Sequence, residues 1–147
     1  MNSDIIEKVS NRLESYGLPI LYAAHIEVVD NKKKFLGWYG LENDVIYINT
    51  MIEHKDDVVS RVILHEYGHK LFSTKFCFYT KKEIKDKYGE LYKKRIKEGT
   101  SKWFPSEYSK TNYEEWFCEL FSYHVGEITY SKKVEAFIRD TIRGIDV

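Results

Sequence analysis

Two histidines four residues apart carry the clearest chemical signal in the chain, within the run His65-Glu66-Tyr67-Gly68-His69. On an α-helix, residues at this spacing project from the same face one turn apart, so the two imidazoles can share one metal ion. Such pairs are typical ligands of Zn²⁺, and the adjacent glutamate is placed to act as general base on a water that the metal holds. The motif therefore predicts a zinc site with His65 and His69 as metal ligands and Glu66 as a catalytic residue.

The residues around the motif predict a packed helix over residues 58–72. Asp56 or Asp57 is expected to cap its start. Gly68 costs roughly 1 kcal/mol relative to alanine inside a helix, so its presence predicts a close approach by another part of the chain. The apolar residues that give the segment its packed character are Val58, Val59, Val62, Ile63, Leu64, Leu71 and Phe72.

Length and composition indicate one folded domain spanning residues 1–147. Apolar residues make up 43% of the chain and aromatic residues 16%, which argues against a disordered chain. No apolar run reaches membrane-spanning length, and residues 1–25 lack a signal-peptide pattern, so we expect a cytoplasmic protein with no membrane association. Cys77 and Cys118 are too few for a disulfide framework and are expected to be reduced.

The net charge is zero, but the stretch 75–102 contains ten basic and four acidic residues. Such a run is most often the solvated face of a helix, so no nucleic-acid partner is expected. The excess positive charge could still favour acidic substrates.

The periodicity predicts an α+β fold in which a small twisted sheet packs with the motif helix. His25, inside the first strand, and His54, in a loop, are not expected to be ligands. Further helices are predicted over 3–16, 81–97, 113–126 and 132–143, and strands over 20–29, 35–39 and 45–49.

The strand at 45–49 precedes the motif helix and leaves two interpretations open. An exposed edge strand offers unpaired N–H and C=O groups, to which a peptide substrate can add as an extra strand. The alternative is an ordinary strand inside the sheet.

A catalytic zinc site needs a third protein ligand, and the helix over 113–126 supplies the candidates. Glu115 and Glu119 stand at i and i+4, so both carboxylates project from one face. One of them would bind the metal and the other would hydrogen-bond to a ligand histidine. His124 is a third candidate, although it falls on the apolar face.

Helix capping bears on this choice without deciding it. Asn112 and Glu115 stand at the spacing of a capping box, in which the glutamate would bond back to the cap N–H. Thr111 and Glu114 make a better box, because threonine is a more usual cap residue there. If Thr111 caps the helix, Glu115 is left free for the metal.

The motif and a downstream block resemble the catalytic domain of anthrax lethal factor-like metallopeptidases, which are gluzincins. That family has a HExGH helix followed by an S-x-Y…TN…E-x-F-A-E-x-F block. The chain departs from the pattern at Cys118, where the family usually has alanine. The matching block is Ser106-Glu107-Tyr108-Ser109-Lys110-Thr111-Asn112-Tyr113-Glu114-Glu115-Trp116-Phe117-Cys118-Glu119-Leu120-Phe121.

The resemblance implies a zincin-like metallopeptidase domain that hydrolyses a protein or peptide substrate. It implies that Glu115 is the third zinc ligand and that Glu119 supports a ligand histidine in the second shell. It also implies that Tyr108 is catalytic, stabilising the oxyanion or assisting proton transfer to the leaving amine.

Two other functions stay open at this point. A regulatory protease of the ImmA/IrrE kind, which cleaves a repressor, also carries HExxH, but its glutamate usually follows sooner than the 46 positions between His69 and Glu115. A zincin-like domain that binds a metal or partner without catalysis is the second alternative. The intact Glu66 argues against it, since a purely structural site needs no base.

Overall fold

The computed structural model describes residues 3–29, 36–49, 55–73, 82–99, 103–126 and 132–143. Within these ranges the chain forms five α-helices and one three-stranded sheet, which confirms the α+β class. His54 and Cys77, for which a loop position and a reduced thiol are predicted, lie outside the described residues. The elements are α1 (Ser3–Ser15), β1 (Ile26–Val29), β2 (Gly37–Gly40), β3 (Val45–Asn49), α2 (Asp56–Leu71), α3 (Lys82–Glu98), α4 (Tyr113–Val125) and α5 (Lys132–Arg143).

The sheet has the strand order β1-β3-β2, with β1 parallel and β2 antiparallel to β3. Ile46 of β3 therefore lies opposite Ile26 on one side and Tyr39 on the other. Because β3 is hydrogen-bonded along both sides, it is an ordinary central strand and offers no edge to a substrate. The exposed-edge interpretation of the strand at 45–49 is wrong, and β2 pairs with β3 alone among the described strands.

The first strand is shorter than predicted, because β1 begins only at Ile26. Residues Ala23–His25 form a 3₁₀ turn, and the backbone N–H of His25 donates to the carbonyl of Tyr22 at 2.9 Å. Upstream, the Ser10 hydroxyl of α1 donates to the Leu21 carbonyl at 2.9 Å and accepts from the Leu21 N–H at 3.2 Å. These backbone groups bond to a helix and a turn, so they cannot join the sheet.

The motif helix α2 packs directly against α4 at Gly68. A Cβ atom at this position would lie 3.0 Å from the Cα of Cys118, so only glycine lets the two backbones approach so closely. The predicted close approach at Gly68 is thus confirmed. Cys118 is a free, fully buried thiol at this contact.

The expected aspartate cap at the start of α2 is wrong. Lys55 occupies the N-cap position and makes no side-chain cap bond, while Asp57 accepts from the adjacent Val58 N–H at 3.0 Å. Asp56 and Asp57 instead stand in the first turn, where their negative charge favours the positive end of the helix dipole.

Large apolar side chains of α2 and α4 form the centre of the core, and α1, α5 and the sheet complete it. Val134 and Ile138 of α5 are fully buried, as a closing helix over 132–143 requires. None of the described helices is long and apolar enough to span a membrane. Core side chains with no more than 1% exposure include Ile63, Leu64, Tyr67, Trp116, Phe117 and Phe121.

Candidate metal centre and active site

Helices α2 and α4 run antiparallel, and successive turns of one face successive turns of the other. This pairing brings the motif histidines against the acidic residues of α4. The facing pairs along the contact are His69 with Glu115, His65 with Glu119, and Arg61 with Tyr123.

One carboxylate lies between the two motif histidines. Nε2 of His65 is 3.0 Å from Oε2 of Glu115, and Nε2 of His69 is 2.9 Å from Oε1 of the same residue. Two imidazole nitrogens and one carboxylate are the donor groups of a common three-ligand set of catalytic zinc sites. His65, His69 and Glu115 therefore fit Zn²⁺ by the chemistry of their donor atoms.

The charged state of Glu115 suits this arrangement. Burial would raise the pKa of its carboxyl, but hydrogen bonds from His65 and His69 outweigh burial and lower the pKa to about 2. The residue is 9% exposed and is thus a buried carboxylate compensated by two imidazoles.

The outer nitrogen of each histidine bonds to a different carboxylate. Nδ1 of His65 donates to Oε2 of Glu119 at 3.1 Å, and Nδ1 of His69 donates to Oε2 of Glu114 at 2.5 Å. A carboxylate on one ring nitrogen fixes the orientation of the ring, and the other nitrogen of each ring faces Glu115.

Glu114 is the residue that sequence reasoning missed, because its spacing from Thr111 suggested a capping box. In the structure Asn112 caps α4, and its Oδ1 accepts from the Glu115 N–H at 2.8 Å. Thr111 Oγ1 instead donates to the carbonyl of Tyr108 at 2.7 Å. The predicted Thr111–Glu114 box is wrong.

Only one of the two hydrogen bonds of an Asn112–Glu115 capping box forms. Asn112 caps α4, but the Glu115 side chain turns toward the histidines and does not bond back to the cap. The cap therefore does not hold the Glu115 side chain, although Asn112 and not Thr111 caps the helix.

Three side chains contact the carboxylate of Glu119. Besides His65, it accepts from the Ser106 hydroxyl at 2.8 Å and from the Ser122 hydroxyl at 3.4 Å. Burial would raise the pKa of Glu119, but these hydrogen bonds and the charge of His65 lower it. Ser106 itself is fixed by accepting from the Ser109 N–H at 3.1 Å.

Glu66 is 8% exposed and lies beside the two histidines. Its pKa is raised, chiefly because burial disfavours the carboxylate, although the charges of His65 and His69 act in the opposite direction. A hydrogen bond with the backbone of Tyr39 links the carboxylate to β2. A carboxyl with a raised pKa is a better proton acceptor at neutral pH than an ordinary glutamate.

Tyr108 stands in a 3₁₀ turn, Tyr108–Lys110, whose end is anchored by the Tyr92 hydroxyl donating to the Lys110 carbonyl at 2.6 Å. Its ring centre is 5.9 Å from that of His65, and the side chain is 55% exposed. Burial and the charge of Glu115 raise its pKa to about 12, so the phenol is neutral and can donate a hydrogen bond.

Two clefts of about 470 and 530 Å³ meet at Gly37, Glu66 and Tyr108. His65 and Glu119 line the first, and His69 and Glu115 line the second. Glu66 and Tyr108 thus lie where a groove along β2 passes the candidate metal centre.

The other candidate ligands are less suited to the centre. His124 packs edge-on against Tyr16, with ring centres 5.2 Å apart, and makes no described contact with the motif histidines. The sequence did not suggest Cys118 as a metal ligand, but its sulfur lies within 4.8 Å of a ring nitrogen of both His65 and His69. Burial raises the pKa of this thiol to about 12, whereas Glu115 is already ionised and contacts both Nε2 atoms.

No protein-family model matches the chain, and no curated protein matches it either.

Proposed function

We propose that the protein is a zinc-dependent metallopeptidase with a zincin-like, gluzincin-type catalytic domain. The observation that carries the proposal is the Glu115 carboxylate, which contacts Nε2 of both His65 and His69 at 2.9–3.0 Å. In this proposal these three residues hold Zn²⁺, while Glu119 and Glu114 orient the two histidines.

Zn²⁺, when bound, supplies a Lewis acid that polarises a peptide carbonyl and makes a nearby water more acidic. Glu66 takes the proton from the attacking water and passes it to the leaving amine. Tyr108 donates a hydrogen bond to the carbonyl oxygen as negative charge develops there. The raised pKa values of both residues support these roles. A raised pKa makes Glu66 a better proton acceptor, and it keeps the Tyr108 phenol neutral, so that it can donate a hydrogen bond.

An extended peptide is the substrate that the groove suits best. Strand β2 runs beside Glu66, and within the described part of the chain it pairs only with β3, so its other side can accept a peptide as an added strand. Leu36 and Leu41, 37% and 49% exposed at the two ends of β2, each line one cleft and offer apolar contact to substrate side chains.

The position of Glu66 favours a catalytic domain over one that only binds a metal. A structural zinc site is closed by its four ligands, whereas this base and Tyr108 line both clefts beside the centre. Nothing in the geometry favours a repressor over any other protein as substrate.

The test is a zinc-dependent cleavage assay with a mixture of internally quenched peptides. Purified protein that has not met a chelator should contain about one zinc per chain. Chelation should abolish cleavage, and added Zn²⁺ should restore it. Absence of stoichiometric metal, or cleavage that survives complete zinc removal, would contradict the proposal.

A further inference from the structure

Arg61 places a positive charge inside one of the two clefts. It stands four residues before His65 on α2, which corresponds to an advance of about 6 Å along the helix axis. Its side chain lines the 470 Å³ cleft together with His65 and Glu66. The Arg61 backbone therefore lies one helical turn from His65, and its side chain borders the first cleft.

No carboxylate among the described residues lies within 4.0 Å of the Arg61 guanidinium. Glu119 lines the same cleft, but its oxygens are occupied by His65, Ser106 and Ser122. Asp57, one turn earlier on α2, is exposed and accepts from the Val58 N–H. The positive charge of Arg61 thus has no acidic partner in the described part of the fold.

The guanidinium is nevertheless positioned. Its central carbon lies 5.7 Å from the centre of the Tyr123 ring, a distance at which the ring attracts a cation. A guanidinium held by a ring face keeps its N–H groups available, and their planar fork matches a carboxylate. Val58 and Val62, which also line the cleft, would exclude water from such a pair.

We propose that Arg61 selects the substrate by binding a carboxylate close to the scissile bond. An extended peptide advances about 3.3 Å per residue, so the advance of about 6 Å along α2 from Arg61 to His65 spans about two substrate residues, and we expect the bound carboxylate within that span of the cleaved bond. The inference rests on the proposed peptidase function and adds a substrate class, peptides with an acidic group beside the cleavage site.

Two substrate groups carry this chemistry, the side chain of Asp or Glu and the carboxylate of a peptide C-terminus. The peptides of one series have amidated C-termini. Each pair in this series compares Glu with Gln at one of the four positions nearest the cleaved bond, two on either side. A second series carries no acidic side chain and ends, as free acid or amide, one or two residues after that bond. Preference for Glu in the first series identifies a side-chain site, and preference for the free acid in the second identifies a C-terminal site.

The zinc-loaded wild type should cleave the acidic member of one series with a kcat/KM about ten- to a hundred-fold higher than its neutral partner. Arg61→Gln should remove this preference, so that the ratio of kcat/KM between the acidic and the neutral peptide of each pair falls to about one. Arg61→Lys should keep part of the preference for the acidic peptide. Arg61→Glu should favour peptides with Lys at the position where the wild type prefers Glu. Lys93→Gln removes one positive charge from an exposed position on α3 and should leave the preference unchanged.

Zinc content and circular dichroism of each variant separate loss of fold from loss of selectivity. If the wild type cleaves acidic and neutral peptides equally, or if Arg61→Gln keeps the full preference, the inference is wrong and the proposed peptidase function stands. If the zinc-loaded wild type cleaves no peptide of either series or of the broader mixture, the proposed function fails and the inference fails with it.

Discussion

The Glu114 carboxylate accepts a hydrogen bond from Nδ1 of His69 at 2.5 Å, while Nε2 of the same ring faces Glu115 at 2.9 Å. This contact mirrors the one between Glu119 and His65. Each histidine of the candidate centre therefore has its own orienting carboxylate on α4.

Replacing Glu114 should weaken zinc binding without destroying the site. We expect Glu114→Ala to raise the zinc dissociation constant by roughly 10–100-fold, because His69 loses the bond that fixes its ring. Competitive titration against a chromophoric chelator measures this change. Glu90→Ala, which removes a carboxylate that is 78% exposed on α3, is the control and should bind zinc like the wild type. Unchanged affinity of Glu114→Ala would show that the contact does not orient a ligand.

Glu115 and Glu119 should differ in the same titration. Glu115→Ala leaves two histidines, too few for a tight catalytic site, and should lose zinc during dialysis. Glu119→Ala should keep a measurable site weakened by roughly 10–100-fold, because only the orientation of His65 is lost. The reverse order of affinities would make Glu119 the ligand and Glu115 its support.

Gly68→Ala tests the close contact between α2 and α4. The added methyl would meet the Cys118 backbone at 3.0 Å, so we expect a loss of about 1–3 kcal/mol in the free energy of unfolding. Gly89→Ala on α3 is the matched control, since nothing lies within 4 Å of its Cβ position. It should stabilise the protein by about 0.4–1 kcal/mol through helix propensity and chain entropy. Urea unfolding measures both, and equal effects would contradict the described packing.

The metal-free protein should lose stability as the pH rises toward 9. Burial lowers the pKa of His65, but its hydrogen bonds with Glu115 and Glu119 outweigh burial and raise the pKa from 6.5 to about 9. Protonated His65 therefore stabilises the folded state fully below pH 6.5, and this contribution is lost between pH 6.5 and 9.

Zinc affinity should rise over the same interval, because the metal must displace the proton. Urea unfolding of chelator-treated protein and zinc titrations at pH 6.5, 7.5 and 8.5 measure the two trends. Glu119→Gln should flatten both trends, since it removes one of the carboxylates that raise the pKa of His65. Stability of the metal-free wild type that increases between pH 6.5 and 9 would contradict this account of His65.

Short-range spacing made the histidine pair, Glu66 and the carboxylates of α4 recognisable in the sequence, since i and i+4 positions share a face in any helix. The residue that caps α4 could not be recognised in the same way. Thr111 and Asn112 are both good cap residues, and the choice depends on where Glu114 finds its partner. That partner, His69, is 45 residues away, so local spacing could not reveal the bond.

The sheet shows the same limit. The strand at 45–49 was predicted with correct bounds, but its central position follows from pairing with β1 and β2, which the residues of the strand do not encode. The segment before Ile26 has the composition of a strand. Its backbone bonds to Ser10 instead, a contact that depends on how α1 packs.

Glu66→Gln is the sharpest test of whether Glu66 acts as the base of a zinc peptidase. The substitution keeps the size of the side chain and leaves His65, His69 and Glu115 in place. The measurement is kcat/KM for one internally quenched peptide, at equal zinc content, for the variant and the wild type. We predict one zinc per chain in both proteins and a kcat/KM lower by roughly 10²–10⁴-fold in the variant. Cleavage by Glu66→Gln at the wild-type rate would contradict the account.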